Sequence, residues 1–169
     1  MHGGIAMKSL VVFYSRTGTT KRIGEELAQL LACDSEELVD TIKRSGPVGY
    51  ASAVRDAMQK KLTTLADIKH DPALYDLVIL GTPIWAGTLS SAMRTYITAN
   101  KSKFKRVAFF CTNGIGHQKL FDEMEALCEQ RPINVLGLPQ KEVKEGDYQD
   151  KLRQFAYGLD YKHNTLDYQ

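Results

Sequence analysis

Four hydroxyl side chains fall within six positions near the start of the chain, in the run Ser15-Arg16-Thr17-Gly18-Thr19-Thr20. Hydroxyl groups donate hydrogen bonds to phosphate oxygens, and a glycine among them can adopt the left-handed conformation of a tight turn. One or two such residues would be interpreted as helix caps. Four of them in six positions favour a binding site for a terminal phosphate monoester over capping alone.

The elements on either side of this run would position it. Residues 10–14 form a short apolar run rich in β-branched and aromatic side chains, which is typical of a buried parallel strand. After Thr20 the apolar residues recur at helical spacing, at Ile23, Leu27, Leu30 and Leu31. The hydroxyls therefore lie in a turn at a helix N-terminus, where backbone N–H groups and the helix dipole attract an anion.

Two other phosphate-binding loops do not fit the sequence. The chain has no Gly-x-x-x-x-Gly-Lys-Ser/Thr run, which a nucleoside triphosphate site of the Walker A type requires. No three-glycine dinucleotide fingerprint follows the first strand, and in the later run Gly114-Ile115-Gly116 the third glycine would fall on Lys119. The hydroxyl-rich turn therefore remains the candidate phosphate site.

Length and composition restrict the class of protein. A chain of 169 residues is long enough for one domain with a core between two helical layers. Its net charge is +2. No block of Lys or Arg indicates a nucleic-acid partner, and no apolar run approaches the length of a membrane span. Because Cys33, Cys111 and Cys128 form no Cys-x-x-Cys pair, we expect a reduced, cytoplasmic protein. We expect a flexible leader over residues 1–7, one domain over residues 8–160 and a C-terminal tail over residues 161–169.

Strand and helix patterns alternate along the rest of the chain. Short apolar runs predict further strands at residues 37–41, 74–80, 107–111 and 134–138. Helical spacing lies between and after them, with inward-facing residues at Met93, Tyr96 and Ile97, at Leu120, Phe121, Met124, Leu127 and Cys128, and at Leu152, Phe155, Ala156 and Leu159. Five strands separated by helices predict an α/β fold, a doubly wound parallel sheet with helices on both faces.

Two further loops would lie beside the hydroxyl-rich turn, because ligands of such sheets bind at the carboxyl ends of the strands. Residues 82–88 follow the third predicted strand and hold the single tryptophan, Trp85, between Pro83 and the small pair Ala86-Gly87. Residues 112–117 follow the fourth predicted strand and contain two glycines. Together with the phosphate turn, these loops indicate a slot for a flat aromatic ring, with Trp85 as one wall.

This combination of motifs resembles the flavodoxin family over residues 10–159. The resemblance rests on Ser-x-Thr-Gly-x-Thr after the first strand, Thr-Pro-Ile-Trp-Ala-Gly after the third, and a Gly-rich loop after the fourth. The segment Gly46-Pro47-Val48-Gly49-Tyr50 is similar to that of stand-alone, short-chain members with an extra helix after strand two. The resemblance implies a flavodoxin-like sheet of strand order 2-1-3-4-5 and FMN as a non-covalent cofactor.

The same resemblance implies a role for each matched position. The phosphate would be held by Ser15, Arg16, Thr17, Gly18, Thr19 and Thr20. The isoalloxazine ring would be lined by Pro83, Ile84, Trp85, Ala86 and Gly87, and its pyrimidine side approached by Thr112, Asn113, Gly114 and Gly116. No catalytic side chain is assigned, because the flavin supplies the redox chemistry.

Two departures from the family pattern bear on function. Electron-carrier flavodoxins are strongly acidic, whereas this chain is slightly basic. The fourth-strand loop of those carriers places a tyrosine on the flavin, whereas residues 112–117 of this chain hold no aromatic side chain except that of His117. Both departures favour a small flavoenzyme that takes electrons from NAD(P)H or a reductase and reduces quinone-like acceptors. An electron carrier between protein partners, and a non-redox module that has lost FMN, remain alternatives.

The remaining notable residues indicate structure more than a binding or catalytic role. Residues 46–65 contain an apolar stripe at helical spacing, made of Tyr50, Val54, Ala57, Met58 and Leu62. This stripe predicts an extra helix packed on the edge of the sheet. The alternative is that the stripe covers the ring slot or contacts a second copy in a homodimer. His70, His117 and His163 have no carboxylate or cysteine at metal-ligand spacing. Cys111 is interpreted as a small buried hydrophobe. A receiver domain and a low-molecular-weight phosphatase, which share the topology, are excluded because Ser15 and Thr82 stand where an acidic, cysteine or aspartate side chain is needed.

Overall fold

The computed structural model describes residues 7–42, 46–112 and 117–166, and the side chains of these ranges as far as position 159. Within them, five parallel strands form one sheet in the order β2-β1-β3-β5-β6. They are β1 (Ser9–Tyr14), β2 (Asp34–Leu38), β3 (Leu77–Trp85), β5 (Val107–Thr112) and β6 (Val135–Leu138). A two-stranded antiparallel extension joins β3 to β4 (Thr88–Leu89). The predicted parallel order 2-1-3-4-5 is confirmed when these five strands are counted along the chain.

Helices cover both faces of the sheet. They are α1 (Thr19–Leu30), α2 (Gly46–Met58), α3 (Ser91–Asn100), α4 (His117–Cys128), α5 (Gln140–Glu145) and α6 (Gln149–Leu166). Alternate residues of β1 point to opposite faces, so that Leu10, Val12 and Tyr14 pack with α2, α3 and α4. Val11 and Phe13 pack on the other side with α1, α5 and α6. The doubly wound arrangement is therefore confirmed.

The inward faces of three helices match their predicted residues. Met93, Tyr96 and Ile97 of α3 are completely buried. Leu120, Phe121, Met124 and Cys128 of α4 are buried and Leu127 is partly so, while Leu152, Phe155, Ala156 and Leu159 of α6 are buried. In α1, Ile23 and Leu27 face the core, but Leu30 is half exposed. Amphipathic spacing was thus a reliable signal for these long helices.

The second strand lies three residues earlier than predicted. The predicted strand covered residues 37–41, whereas β2 is Asp34–Leu38. The error arose from Glu36, which is buried because its carboxylate accepts hydrogen bonds from the backbone N–H groups of Lys69 and His70. Residues 39–41 pair instead with residues 64–66, through an antiparallel bridge between Asp40 and Leu65.

The third strand was predicted to end at Leu80, and this was wrong. β3 continues to Trp85, with Gly81, Thr82 and Pro83 paired to Phe110, Cys111 and Thr112 of β5. Glycine and proline usually mark the end of a strand, but here Gly81 lets the Phe110 ring pack directly on the backbone. A Cβ atom at position 81 would lie 1.9 Å from that ring.

Helix α2 packs on a face of the sheet, against β3, β4 and α3, rather than at the edge of β2. Ala53 and Ala57 are its buried residues, while Tyr50, Met58 and the following Leu62 are about half exposed or more. At the other end of the chain, α6 runs to Leu166, past position 160 where the predicted domain ends. The leader, except for Met7, and residues 167–169 lie outside the described residues.

Candidate functional site

The hydroxyl-rich turn joins β1 directly to α1. Gly18 precedes the helix in the left-handed conformation, at φ 90°, and its N–H donates to Ser15 Oγ over 3.1 Å. Within the described part of the chain, no side chain caps the N-terminus of α1 at Gly18. The first-turn N–H groups are thus left for another acceptor, and the Ser and Thr residues around this turn do not act as caps.

The two threonines of greatest interest in this turn differ in exposure. Thr17 is exposed. Thr20 is buried, and its hydroxyl lies 2.8 Å from the hydroxyl of Thr112 at the end of β5. This buried hydrogen bond connects the phosphate turn to the third of the predicted loops. Thr20 therefore has a structural partner that its sequence position did not reveal.

The loop after β3 is a hairpin rather than an irregular loop. Trp85 pairs with Thr88, and the two residues between them, Ala86 and Gly87, both have positive φ, at 49° and 77°. Positive φ at both central positions is the pattern of a type I′ turn, which suits the twist of a two-residue hairpin. The short β4 follows and leads through Ser90, the N-cap of α3, into that helix.

The phosphate turn and the hairpin border one cavity of about 380 Å³. The Trp85 side chain is 8% exposed and meets Tyr14 edge to face, with 5.6 Å between ring centroids. Seven of the predicted site residues line the cavity, namely Arg16, Thr17, Thr20, Pro83, Ile84, Trp85 and Ala86. Ser15, Gly18, Thr19, Gly87 and Thr112 do not line it, and Asn113, Gly114 and Gly116 lie outside the described residues.

Two residues at this cavity were missing from the predicted site. Tyr50 of α2 lines it; the sequence had raised Tyr50, or the apolar face of its helix, only as an alternative cover for the ring slot. Gln140, the first residue of α5, also lines it, and no motif marked that position. His117 is not among the lining residues; its ring packs on β6, where a Cβ at Gly137 would lie 2.2 Å from His117 Nδ1.

Among the residues that the structure describes, Arg16 is the one charged residue that lines the cavity. Its Nη2 donates to the carbonyl oxygen of Gly46 over 3.1 Å, and its guanidinium lies 4.9 Å from the centroid of the Tyr50 ring. Its Nε is buried without a hydrogen-bond partner among the described residues. The side chain thus holds the start of α2 beside the phosphate turn, and one of its donors is unused.

A larger cavity, of about 580 Å³, lies on the other side of Arg16 and Thr17, above the ends of β1 and β2. It is lined also by Glu37 and Asp40, and by none of the ring-side residues of the predicted site. Glu37 forms an ion pair with Lys21. Its two carboxylates make this larger cavity less suited to a phosphate dianion than the smaller cavity, where Arg16 is the charged side chain among the described lining residues.

The thiol of Cys111 at the end of β5 is completely buried. Burial raises the pKa of this thiol to about 12, so it stays protonated at neutral pH. Cys111 therefore lacks the thiolate that a nucleophile needs, as expected of a small buried hydrophobe. Among the side chains that the structure describes, no group of three or more His, Cys, Asp or Glu residues could hold a metal ion. None of the helices within the described ranges is long and apolar enough to cross a membrane.

Comparison with known proteins identifies the family. The model of the flavodoxin domain family matches residues 48–135, which is more than half of the chain. The chain belongs to the flavodoxin domain family. The matched residues include the hairpin and all but the first two residues of α2, but not the hydroxyl-rich turn. No curated protein matches the chain.

Solved structures share the fold. A flavoprotein from Lactobacillus acidophilus NCFM, solved in complex with FMN, is 23% identical, with a TM-score of 0.66 over 83% of this chain and 98% of its own. A putative flavoprotein from Bacteroides eggerthii is 22% identical, with a TM-score of 0.64 over 82% and 94% of the two chains. The flavodoxin of Megasphaera elsdenii is 19% identical, with a TM-score of 0.54 over 88% and 97%. At these identities the likeness establishes the fold.

Proposed function

We propose that this protein binds FMN non-covalently and takes part in electron transfer, with the phosphate in the turn of residues 15–20 and the isoalloxazine ring along Trp85. The observation that carries the proposal is the single cavity on which Thr17 and Thr20 of the turn and Trp85 of the hairpin converge. A flavoprotein of the same fold was solved with FMN, which supports the choice of ligand.

The phosphate end fits a dianion on three counts. The N-terminus of α1 is uncapped, so its N–H groups and helix dipole are available. The exposed Thr17 adds a hydroxyl donor. Arg16 adds a positive charge with an unused Nε donor. Ser15, Gly18 and Thr19 would complete the turn around the phosphate through backbone and hydroxyl groups.

The ring end fits a flat aromatic group. Pro83, Ile84, Trp85 and Ala86 supply an apolar wall along the cavity, which keeps water from one side of the ring. Gly87, Thr112, Asn113, Gly114 and Gly116 are assigned to the edge and pyrimidine side of the ring by resemblance. When bound, FMN supplies the redox chemistry, while the side chains position it and set the polarity around it.

For the acceptor we propose a quinone-like small molecule, with NAD(P)H or a reductase as electron donor. Tyr50 lies at the cavity and is 47% exposed, and His117 packs on β6 instead of lining the cavity. In this proposal, a ring held along Trp85 keeps one face accessible to a flat acceptor. Charge supports the choice, because a net charge of +2 lacks the acidic field of a dedicated carrier.

The decisive experiment is a titration of apoprotein with FMN, followed by the emission of Trp85, the single tryptophan. We expect strong quenching that saturates at one FMN per chain, because the indole would lie within contact distance of the flavin. Riboflavin should quench to the same extent but bind more weakly, since it lacks the phosphate. Free tryptophan in the same FMN solutions corrects for absorption by the flavin.

Two results would contradict the proposal in different ways. FMN binding without any change in Trp85 emission would remove the hairpin from the ring site. No binding of either flavin by folded protein would support the alternative, a flavodoxin-fold module without a redox role.

A further inference from the structure

A buried polar network lies behind the hairpin and outside the cavity. Arg94 of α3 is 6% exposed, and its Nη2 donates to Glu123 Oε1 over 2.7 Å and to Thr88 Oγ1 over 3.1 Å. The Thr88 hydroxyl in turn donates to Glu123 Oε2 over 2.6 Å. The three side chains therefore close a ring of hydrogen bonds.

This network joins the elements that border the proposed ring site. Thr88 belongs to β4 and pairs directly with Trp85 across the hairpin. Arg94 lies one turn into α3, which follows the hairpin, and Glu123 lies in α4, which follows the loop after β5. The ammonium of Lys60, just after α2, lies 3.4 Å from Glu123 Oε1. Two helices, α3 and α4, and the segment that follows α2 are thereby connected to one residue of the hairpin.

Burial of Ile84, Trp85 and Leu89 in the core also holds the hairpin, and the network adds a directional polar restraint at Thr88. β4 has two residues, and the turn contains Ala86 in a left-handed conformation that L-residues rarely adopt. A buried ion pair is in general no more stabilising than apolar residues of the same volume, but its hydrogen bonds select one geometry. Arg94 Nε is buried without a partner among the described residues, so the network is not arranged for maximal stability.

We propose that Arg94 and Glu123 are positioning residues of the flavin site, acting through the Thr88 hydroxyl to hold Trp85 against the isoalloxazine ring. The inference rests on the proposed FMN site and adds the residues that set its ring end. Loss of the Thr88 hydroxyl would let the hairpin shift relative to α4. Affinity for the ring would then fall, while the phosphate turn, which is on β1 and α1, stays intact.

The test uses Thr88→Val, which removes the hydroxyl and keeps the shape of the side chain. We expect FMN and riboflavin to lose affinity by the same factor, about tenfold, because both share the ring. We also expect less quenching of Trp85 at saturation. Thr88→Ser, which restores the hydroxyl, should recover affinity and quenching. The matched control is Thr98→Val, which removes a hydroxyl that donates over 2.8 Å to the Arg94 carbonyl on the same helix.

The outcomes separate this inference from the proposed function. Thr88→Val and Thr98→Val could lower the free energy of unfolding in urea equally, while Thr88→Val binds both flavins as tightly as the wild type. This result would show that the network has a purely structural role, and it would overturn the inference. A loss of FMN affinity with unchanged riboflavin affinity would overturn it as well, since the network would then act on the phosphate end. Failure of the wild type to bind either flavin would overturn the proposed function instead.

Discussion

The threonines of the phosphate turn have different roles despite their equal chemistry. Thr20 is buried and hydrogen-bonded to Thr112, so its replacement would disturb the connection between α1 and β5 as well as any ligand. Thr17 is exposed and lines the cavity, so its replacement changes mainly what the cavity can bind. Thr17 is therefore the better residue for a test of the phosphate assignment.

We expect Thr17→Ala to weaken FMN binding by about tenfold, since a hydrogen bond to a charged group contributes about 1.5 kcal/mol. Riboflavin affinity should stay unchanged, because riboflavin has no phosphate. The measurement is parallel titration of both flavins, with Thr64→Ala, at an exposed threonine that is not among the residues lining the cavity, as the matched control. Equal weakening of both flavins would place the phosphate elsewhere.

Several polar residues are buried because particular partners satisfy them. Glu36 is 5% exposed and accepts from two backbone N–H groups and from the His70 ring, whose Nδ1 lies 2.7 Å away. The Tyr75 hydroxyl donates to Asp34 Oδ2 over 2.7 Å. Burial is the largest cause, and the nearby Asp34 carboxylate a further one, of a rise in the pKa of Tyr75 to about 12. These side-chain contacts connect β2 to residues 69–75, which lie 33 to 41 residues further along the chain.

At the scale of elements, the hairpin contains a correctable strain. Ala86 has φ 49°, a conformation that costs an L-residue about 1 kcal/mol, whereas Asn tolerates it and Asn-Gly is the favoured type I′ pair. We expect Ala86→Asn to raise the free energy of unfolding of the apoprotein by about 0.5 kcal/mol. Urea denaturation measures this, and Ala99→Asn, at an exposed position within α3, should not stabilise. A destabilised Ala86→Asn protein would argue against the strain.

The network of α3, α4 and β4 predicts a pH dependence of stability. Burial, the largest single cause, acts to raise the pKa of Glu123. Hydrogen bonds from Thr88 and Arg94, together with the charges of Arg94 and Lys60, outweigh this effect of burial. The pKa of Glu123 is therefore lowered below its ordinary value of 4.5. A carboxyl group with a lowered pKa in the folded state stabilises above its unfolded pKa, and this contribution is lost as pH falls towards the folded value.

We therefore expect Glu123→Gln to be destabilised relative to the wild type at pH 7, and the difference to shrink progressively below pH 4.5, where the carboxyl group becomes neutral like the amide. Urea unfolding of both apoproteins between pH 7 and pH 3 measures it. Glu125→Gln, whose carboxylate is on the same helix and pairs with the highly exposed Arg131, is the control and should show little difference at any pH. A constant gap for Glu123→Gln would exclude ionisation of Glu123 as its cause.

At the scale of the whole molecule, charge bears on the choice between enzyme and carrier. A net charge of +2 on 169 residues produces a weak long-range field, so electrostatic steering of partners should be small. A dedicated carrier depends on such steering, and its reactions slow steeply as salt rises.

We expect the photoreduced FMN-bound protein to pass electrons directly to soluble quinones. The rate with an anionic quinone sulfonate should change by less than about threefold between low and high salt, because the field is weak. Stopped-flow reoxidation measures the rates, and a neutral quinone serves as the control for effects of salt on the flavin itself. Negligible quinone reactivity, with fast and salt-sensitive exchange with a flavodoxin reductase, would identify an electron carrier.

The sequence by itself determined the sheet order through resemblance, the inward faces of α3, α4 and α6, and the chemistry of the turn at residues 15–20. The helix faces, the approximate strands and the turn depend on local patterns, namely helical spacing, β-branched runs and clustered hydroxyls, which can be recognised without knowing the neighbouring elements, whereas the sheet order came from the resemblance. The strand ends were less legible. Gly81 and Pro83 look like strand breakers, yet both stay in β3, because pairing with β5 and packing on Phe110 override local preference.

Only the tertiary structure decided which residues share the cavity and what holds them there. Tyr50, the last residue of the Gly-Pro-x-Gly-Tyr segment, reaches it from α2, and Gln140, which no motif marks, reaches it from α5. Thr20 meets Thr112 across 92 residues, and Glu123 meets Thr88 across 35. Such contacts join side chains from elements that are adjacent only after the sheet has formed. A hydrogen bond between distant residues leaves no periodic pattern in the sequence, so these contacts could be identified only from the tertiary structure.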